Sequence, residues 1–240
     1  MRKMRLFSSL MSVFIIISCV FAQAAEATWP TLLLDPGHGG EDGGAVACDG
    51  TIEASINWDI SNRCKVLAEF LGAPVQMTRN SYDIQYPESA KTVKARKTAD
   101  QKSRAALVNS GDPVILISIH QNKFTSEKPF GPQVFYNTQS PAQLMAERLQ
   151  KELNEQLCPD SRRLAAPVSE DVWLMRQATR PALLVECGFL SHPQETARLQ
   201  TEEYQRELSL LIIGCCIQEI QGVEEPDEIE DSFLLHGLWQ

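Results

Sequence analysis

A length of 240 residues with 43% hydrophobic side chains suits one domain of about 200 residues, large enough to bury a core without disulfide staples. The formal net charge of -9 argues against nucleic acid as a partner, because an acidic surface repels phosphates. Composition therefore excludes a small disulfide framework and a basic nucleic-acid-binding domain.

The first 24 residues differ in composition from the rest of the chain. A basic start, MRKMR, precedes an apolar run, and the small-x-small sequence AQA ends the segment. We expect residues 1–24 to be a signal peptide, or an N-terminal anchor if the segment is retained, with lipidation of Cys19 as a weaker alternative. The protein is predicted to be exported across the cytoplasmic membrane and to contact a membrane only through this segment.

Beyond this leader, apolar runs and helical spacings alternate along the chain. In order, they predict a strand at 31–36, a helix at 51–71, a strand at 75–79, a helix at 92–109, strands at 114–119 and 131–137, a helix at 141–157, strands at 172–176 and 182–187, and helical segments at 194–221. This alternation indicates an α/β fold, a layered single domain at 30–221 with a mostly parallel central sheet of about six strands flanked by helices. The acidic run that follows predicts a C-terminal tail at 222–240.

The cysteines give no sign of a structural zinc cluster. Six of the seven follow the leader, and they lack the paired spacing of zinc-binding cysteines. We expect most of them to be small buried hydrophobic residues.

Three of the predicted strands end on residues that can bind metal or transfer protons. The runs TLLLDPGHGG, PVILISIHQN and PALLVECGFL place His38, His120 and Glu186 at or just beyond strand ends. Because ligands bind outside the carboxyl ends of the strands in open α/β sheets, these side chains are expected to share one site. Taken singly, either histidine could equally be an ordinary hydrogen-bonded residue.

Two imidazoles and one carboxylate are typical ligands of a catalytic zinc site. His38 and His120 supply the nitrogens, and either Glu41 or Glu53 can supply the oxygen. Glu41 forms a His-x-x-Glu motif with His38 but lies in a glycine-rich stretch, whereas Glu53 lies in the first turn of a helix, on a rigid backbone. We prefer Glu53, although a glutamate there can also serve only to complement the helix dipole.

Glu186 is the strongest candidate for acid-base chemistry. It lies within the run LLVECGFL, where burying an ionised carboxylate is costly unless the group is paired, metal-bound or functional. Asp35 and Asp42 are instead expected to shape the turn and loop around His38 through Asx-type hydrogen bonds.

Five separated motifs carry a resemblance to a known family. LLLDPGHGGEDGGA, Glu53 with Asn57 on the following helix, VQMTRNSYD, ISIHQN and PALLVECGFLSHPQE stand in the order and spacing of the zinc-dependent N-acetylmuramoyl-L-alanine amidases, which act on peptidoglycan. The chain resembles this family over nearly all of residues 30–220. Five motifs in order are far more specific than any one of them.

The resemblance implies a cofactor and a reaction. It implies Zn²⁺ bound by His38, Glu53 and His120, and hydrolysis of the amide between the lactyl group of N-acetylmuramic acid and L-alanine of the stem peptide. Glu186 would take a proton from the attacking water and pass it to the leaving nitrogen. The amine is a poor leaving group without that transfer.

Substrate contacts are less specified than the metal ligands. Asn122 could hydrogen-bond the substrate or the adjacent loop, and Arg176, on a neighbouring predicted strand, could face the glycan or the oxyanion. A turn role for Asn122 and a solvated or salt-bridged role for Arg176 are the ordinary alternatives. Gln121 and His192 depart from the family pattern, which puts the substrate contacts in doubt and leaves the metal ligands unaffected.

The predicted order of segments along the chain points to one type of amidase within this family. One catalytic domain with an export leader and a short tail looks most like the compact amidase of spore-forming bacteria, which helps to form muramic-δ-lactam in the spore cortex, a modification read during germination. Relatives of that type can require an accessory protein as a partner. Two other classes stay open, a zinc carboxypeptidase-like hydrolase of stem peptides and a non-catalytic cell-wall binding module.

Overall fold

The computed structural model describes residues 29–111 and 113–221. The predicted leader at 1–24 and the predicted acidic tail at 222–240 lie outside the described residues. Within the described part, no helix combines the length and apolar character that crossing a membrane requires.

The described chain forms one sheet with helices on both faces. In chain order the strands are β1 Thr31–Pro36, β2 Val75–Met77, β3 Val114–Asn122, β4 Gln133–Tyr136, β5 Ala166–Pro167 and β6 Ala182–Phe189. The helices are α1 Glu53–Phe70, α2 Val93–Val108, α3 Ala142–Leu157, α4 Trp173–Gln177, α5 Pro193–Leu199 and α6 Glu202–Gln221. The strand order is β2-β1-β3-β6-β4-β5, and each neighbouring pair is parallel except β4 with β6. The predicted α/β fold with a mostly parallel sheet of six strands is confirmed.

Strand alternation divides the core into two apolar layers. On β3, Ile115, Ile117 and Ile119 belong to the layer that α1, α3 and α6 cover, and Leu116 belongs to the smaller layer under α2 and α4. Both sets of side chains are nearly inaccessible to solvent, as expected for a parallel sheet that is covered on both faces.

The parallel arrangement brings the carboxyl ends of the three central strands to one edge. β3 lies between β1 and β6, with Pro36 opposite Ile119 and His120 opposite Glu186. α1 begins at this edge, because the loop after β1 leads directly into Glu53. The edge therefore collects the residues that follow β1, the last residues of β3 and β6, and the first residue of α1.

One predicted strand is absent from the structure, and one observed strand was not predicted. The segment at 172–176 is not a strand but forms the start of α4, and this helical turn packs the buried Leu174 and Met175 into the smaller apolar layer beside α2. The sixth strand is instead the two-residue β5, which is too short to produce a periodic pattern.

The predicted burial of most cysteines is confirmed for Cys64, Cys158, Cys187, Cys215 and Cys216, whereas Cys48 is exposed.

Candidate metal centre and acid-base residue

His38 stands in a tight turn at the end of β1. Its backbone φ is 58°, in the left-handed region that residues other than glycine rarely adopt, and Gly39 and Gly40 follow with φ of 122° and 55°. The turn directs Nε2 of His38 toward Oε1 of Glu53 at 3.3 Å, and Nδ1 lies 3.0 Å from Oδ2 of Asp42. A carboxylate on the second ring nitrogen is the usual way to fix the tautomer and orientation of a metal-binding histidine.

Glu53 is a buried carboxylate whose two oxygens are held by backbone hydrogen bonds. It is 3% exposed, Oε2 accepts a hydrogen bond from the Ala45 amide at 2.8 Å, and Oε1 accepts one from the Gln121 amide at 3.1 Å. Burial alone would raise the pKa of Glu53, but hydrogen bonds with His120 and His38 outweigh it and hold the pKa well below its usual range. Glu53 is therefore an ionised carboxylate with a fixed orientation.

His120 completes the cluster from β3. Its Nδ1 lies 3.0 Å from Oε1 of Glu53, and its ring meets the His38 ring edge to face with centroids 4.9 Å apart. Only glycine fits at position 37, because a Cβ there would lie 2.3 Å from ring atoms of His120. The glycine of the DPGH sequence thus lets the backbone next to His38 pass close to the ring of His120.

The three side chains fit a divalent metal ion. His38, Glu53 and His120 each offer one ligand atom, and these atoms lie within 4.8 Å of one another. Two ligands at 2.0–2.1 Å from a tetrahedral zinc ion lie roughly 3.3 Å apart, close to the separations of 3.3 Å and 3.0 Å between the histidine nitrogens and Oε1 of Glu53. The cluster can therefore hold a metal with little rearrangement.

Glu186 lies opposite His120 on the neighbouring strand β6. Its side chain is half-buried, yet its Oε2 atom is fully buried and lacks a hydrogen-bond partner among the described residues. Burial, assisted by the nearby charge of Glu53 and opposed by His120 and His38, raises the pKa of Glu186 to about 7. A carboxyl group of that pKa can both accept and donate a proton near neutral pH.

Glu41, the alternative ligand, lies outside the cluster. It is an exposed residue whose carboxylate pairs with Arg96 of α2. Asp42 fulfils the predicted loop role, because Oδ1 accepts a hydrogen bond from the Gly44 amide at 3.3 Å. Its other oxygen bonds His38 and also pairs with Lys97 at 2.8 Å.

The family profile described as N-acetylmuramoyl-L-alanine amidase matches residues 32–215, which is most of the chain. The chain belongs to the N-acetylmuramoyl-L-alanine amidase family. The family predicted from the sequence motifs is confirmed, and the protein is an amidase that acts on peptidoglycan.

Individual relatives extend this result. The chain is 33% identical over 198 residues to the germination-specific N-acetylmuramoyl-L-alanine amidase of Bacillus subtilis, covering 82% of each. It is 28% identical over 252 residues to the amidase AmiC of Neisseria meningitidis, matching 87% of this chain but 55% of the relative. The CwlD amidase of Clostridioides difficile, solved in complex with the GerS lipoprotein, superimposes with a TM-score of 0.76 at 31% identity, covering 81% of this chain and all of that one.

The two predicted substrate contacts of the amidase differ in position. Asn122 ends β3 two residues beyond His120, and both side chains are half-buried while Gln121 between them is buried. Arg176 was predicted on a strand but lies in the short helix α4, with an exposed side chain. No hydrogen bond or ion pair within the described part of the chain joins Arg176 to the cluster.

Gln121 and His192 of the amidase have structural roles that the sequence did not reveal. Gln121 is 3% exposed, and its side-chain amide donates to Oδ1 of Asn57 at 3.1 Å. Asn57 in turn donates to Oε1 of Glu53 at 3.3 Å, so Gln121 supports the position of Glu53 through Asn57. His192 is the N-cap of α5 and accepts a hydrogen bond from the Glu195 amide at 3.4 Å.

Asp35 of the amidase does not form the predicted Asx turn. It is 1% exposed, and its carboxylate accepts hydrogen bonds from Ser118 at 2.6 Å, Thr78 at 2.7 Å and Arg104 at 2.7 Å. Sequence reasoning did not identify Arg104, although one signal existed. Asp100 and Arg104 are four residues apart on α2, and Val108 continues the same face into the core, so Arg104 faces inward.

Proposed function

We propose that the protein is a zinc-dependent amidase that cleaves the bond between the lactyl group of N-acetylmuramic acid and L-alanine of the stem peptide. His38, Glu53 and His120 are the proposed zinc ligands, and Glu186 is the proposed catalytic acid-base. One observation carries the proposal: ligand atoms of three residues distant in sequence lie within 4.8 Å of one another, and an acid with an unpaired buried oxygen among the described residues lies on the adjoining strand.

A zinc ion at this cluster would polarise the scissile carbonyl and favour formation of a nucleophile from water at neutral pH. The carboxylate of Glu186 accepts a proton from the attacking water as the carbon–oxygen bond forms. The same carboxyl group then donates this proton to the alanine nitrogen as the carbon–nitrogen bond breaks. A pKa of about 7 suits Glu186 to both transfers.

Asn122 and Arg176 are the proposed substrate contacts. The half-buried side chain of Asn122 follows His120 on the same side of β3, so Asn122 is the proposed hydrogen-bond partner of the substrate. Arg176 has an exposed guanidinium on α4, and a role in glycan or oxyanion binding would require substrate to extend over that helix.

The proposed biological setting is the spore cortex, where removal of the stem peptide precedes formation of muramic-δ-lactam. The supporting observation is the similarity to the germination-specific amidase of Bacillus subtilis over 82% of both chains. The proposed organisation is a leader at 1–24, a catalytic domain at 30–221 and an acidic tail at 222–240, with export to the wall or cortex space where peptidoglycan lies. Cortex muropeptides of a deletion strain should lack the lactam, and a normal lactam content would contradict this setting.

An accessory protein is a further part of the proposal. It rests on the solved complex of the Clostridioides difficile relative with the GerS lipoprotein, at 31% identity to this chain. Co-purification of the full chain with an exported protein of its own organism, followed by an activity assay with and without that protein, would test the requirement.

Product analysis tests the reaction itself. Purified wall and cortex fragments are incubated with the protein after chelation and after zinc is restored, and the products are analysed by mass spectrometry. We expect new stem peptides with a free L-alanine amine only when zinc is present. Release of a C-terminal amino acid would indicate a carboxypeptidase, and binding of fragments without cleavage would indicate a wall-binding module.

A further inference from the structure

A buried ion pair lies next to the turn that carries His38, one of the proposed zinc ligands. Arg104 of α2 is 2% exposed and Asp35 of β1 is 1% exposed, and Nη1 of the arginine donates to Oδ1 of the aspartate at 2.7 Å. The carboxylate of Asp35 also accepts hydrogen bonds from the hydroxyl groups of Ser118 and Thr78. Burying two charges is costly and seldom stabilises a fold more than apolar packing would, so the pair invites a functional explanation.

The same guanidinium bonds the backbone of the turn that carries His38. Nη1 of Arg104 donates to the Pro36 carbonyl at 2.9 Å, and Nη2 donates to the His38 carbonyl at 2.8 Å. These two carbonyls flank Gly37, the residue that allows the close approach of the His120 ring. Arg104 therefore holds the part of the backbone that sets the position of one proposed ligand relative to another.

His38 needs such support because of its conformation. A φ of 58° is unfavourable for a residue with a Cβ, and it persists only where the surroundings enforce it. Arg104 is itself fixed, since its Nε donates to Asp100 one turn earlier on α2 at 3.0 Å. A lysine could not reproduce this arrangement, because an ammonium group lacks the planar fork that reaches a carboxylate and two carbonyls together.

We propose that Arg104, oriented by Asp35 and Ser118, is a positioning residue that sets the affinity of the centre for zinc. It acts through the backbone of His38 and contacts neither substrate nor metal. The inference rests on the proposed zinc site, and it adds a residue of α2 to the determinants of metal binding. Removing the fork should relax the His38 turn and widen the distribution of positions of its imidazole.

A second ion pair provides a matched control. Arg148 of α3 pairs with Glu219 of α6 at 2.9 Å, on the opposite face of the sheet. Arg148→Lys removes the planar fork from an interhelical pair and leaves the site untouched. Any effect that reflects only the exchange of a guanidinium for an ammonium group in an ion pair should therefore appear in both lysine variants.

The test measures zinc binding by the full chain, using competition with a fluorescent chelator, beside circular dichroism and the absorption spectrum of the cobalt-loaded protein. We expect Arg104→Lys to weaken zinc affinity by about 10- to 100-fold, the range typical of lost support around a metal ligand, and to change the cobalt spectrum. Arg148→Lys should leave both unchanged. Ser118→Ala, which removes one hydrogen bond from Asp35 and no charge, should weaken zinc binding less than Arg104→Lys does.

The outcomes separate this inference from the proposal on which it rests. Wild-type protein that binds no zinc overturns the metal site and this inference together. Wild-type binding with unchanged affinity in folded Arg104→Lys overturns the positioning role alone. If Arg104→Lys does not fold, Ser118→Ala decides, and wild-type affinity in that variant has the same meaning.

Discussion

The two faces of the sheet use the same strand for different purposes. On β3, Ile115, Ile117 and Ile119 pack into the larger apolar layer, whereas Ser118, one position out of step, bonds the buried Asp35 on the other face. Apolar side chains need only complementary shape and volume, whereas buried polar groups such as Ser118 and Asp35 are stable when they are hydrogen-bonded. Alternation along β3 thus gives apolar packing from Ile115 to Ile119 on one face and inserts a buried polar network beside the smaller apolar layer on the other.

The face of the sheet that carries Ser118 contains two contrasting acids, Asp35 and Glu186. Burial would raise the pKa of Asp35, but Arg104 and the hydroxyl groups of Ser118 and Thr78 outweigh it and hold the pKa below its usual range. Glu186 has no comparable partner for Oε2 among the described residues, and its pKa rises to about 7. The paired acid keeps its charge and supports the structure, whereas the unpaired acid remains able to exchange a proton.

Replacing a proposed ligand should have the largest effect. Glu53→Ala removes the oxygen that both histidines approach, so we expect zinc affinity to fall by more than the 10- to 100-fold typical of a lost outer support. Glu41→Ala, which removes an exposed acid paired with Arg96, is the matched control and should bind zinc normally. Metal analysis of both variants after dialysis distinguishes them, and loss of zinc only from the Glu41 variant would favour the His-x-x-Glu site.

Glu186→Gln should separate proton transfer from metal binding. The amide cannot accept the proton of the attacking water, so we expect turnover to fall by about 10²- to 10⁴-fold while zinc remains stoichiometric. Amidase assays on wall fragments, with metal content measured on the same samples, provide the check. Near-normal turnover in the zinc-loaded variant would remove Glu186 from the mechanism.

A cavity in the larger apolar layer should reduce the stability of the fold without affecting the proposed metal site. Leu153 of α3 is fully buried in the larger layer, so Leu153→Ala should lower the free energy of unfolding by about 2–5 kcal/mol. Leu210 of α6 is 56% exposed, and Leu210→Ala should change it by no more than about 0.5 kcal/mol. Both variants should bind zinc with wild-type affinity. Weakened binding by folded Leu153→Ala would show that the packing of α3 in the larger layer also affects the metal site.

The sequence predicted the proximity of His38 and His120 because strand endings are local features. Each apolar run ends at a polar residue, and a parallel sheet brings those endings to one edge. The choice of Glu53 over Glu41 also followed from local reasoning, since a helix start is more rigid than a glycine-rich loop.

The supporting residues could not be predicted in the same way. Arg104 meets Asp35 across 69 positions in sequence, and no periodic pattern relates a residue in one element to a partner so far away. The prediction for residues 172–176 was wrong for a related reason, because a run of four apolar residues followed by an arginine fits a short strand or a single helical turn equally well, and packing decides between them. Local patterns therefore specified the proposed ligands, and tertiary contacts specified the residues that hold them in place.

The pH dependence of stability offers the smallest and most specific test of the contrast between the two acids. Burial raises the pKa of Glu186 from 4.5 to about 7 in the folded protein. Between these values the folded state retains a proton that the unfolded state has released, so rising pH favours unfolding. The stabilisation linked to this proton is complete below pH about 4.5 and is lost as pH rises through about 7, with a total on the order of 3 kcal/mol.

Urea unfolding of the chelated protein from pH 4.5 to 8 should therefore show wild type losing stability relative to Glu186→Gln over that interval. Subtracting the two curves removes the contributions that are common to both proteins. Glu155→Gln, at an exposed position on α3, should run parallel to wild type throughout. Parallel curves for wild type and Glu186→Gln would mean that Glu186 ionises as readily in the fold as in water, and the contrast with Asp35 would then lose its physical basis.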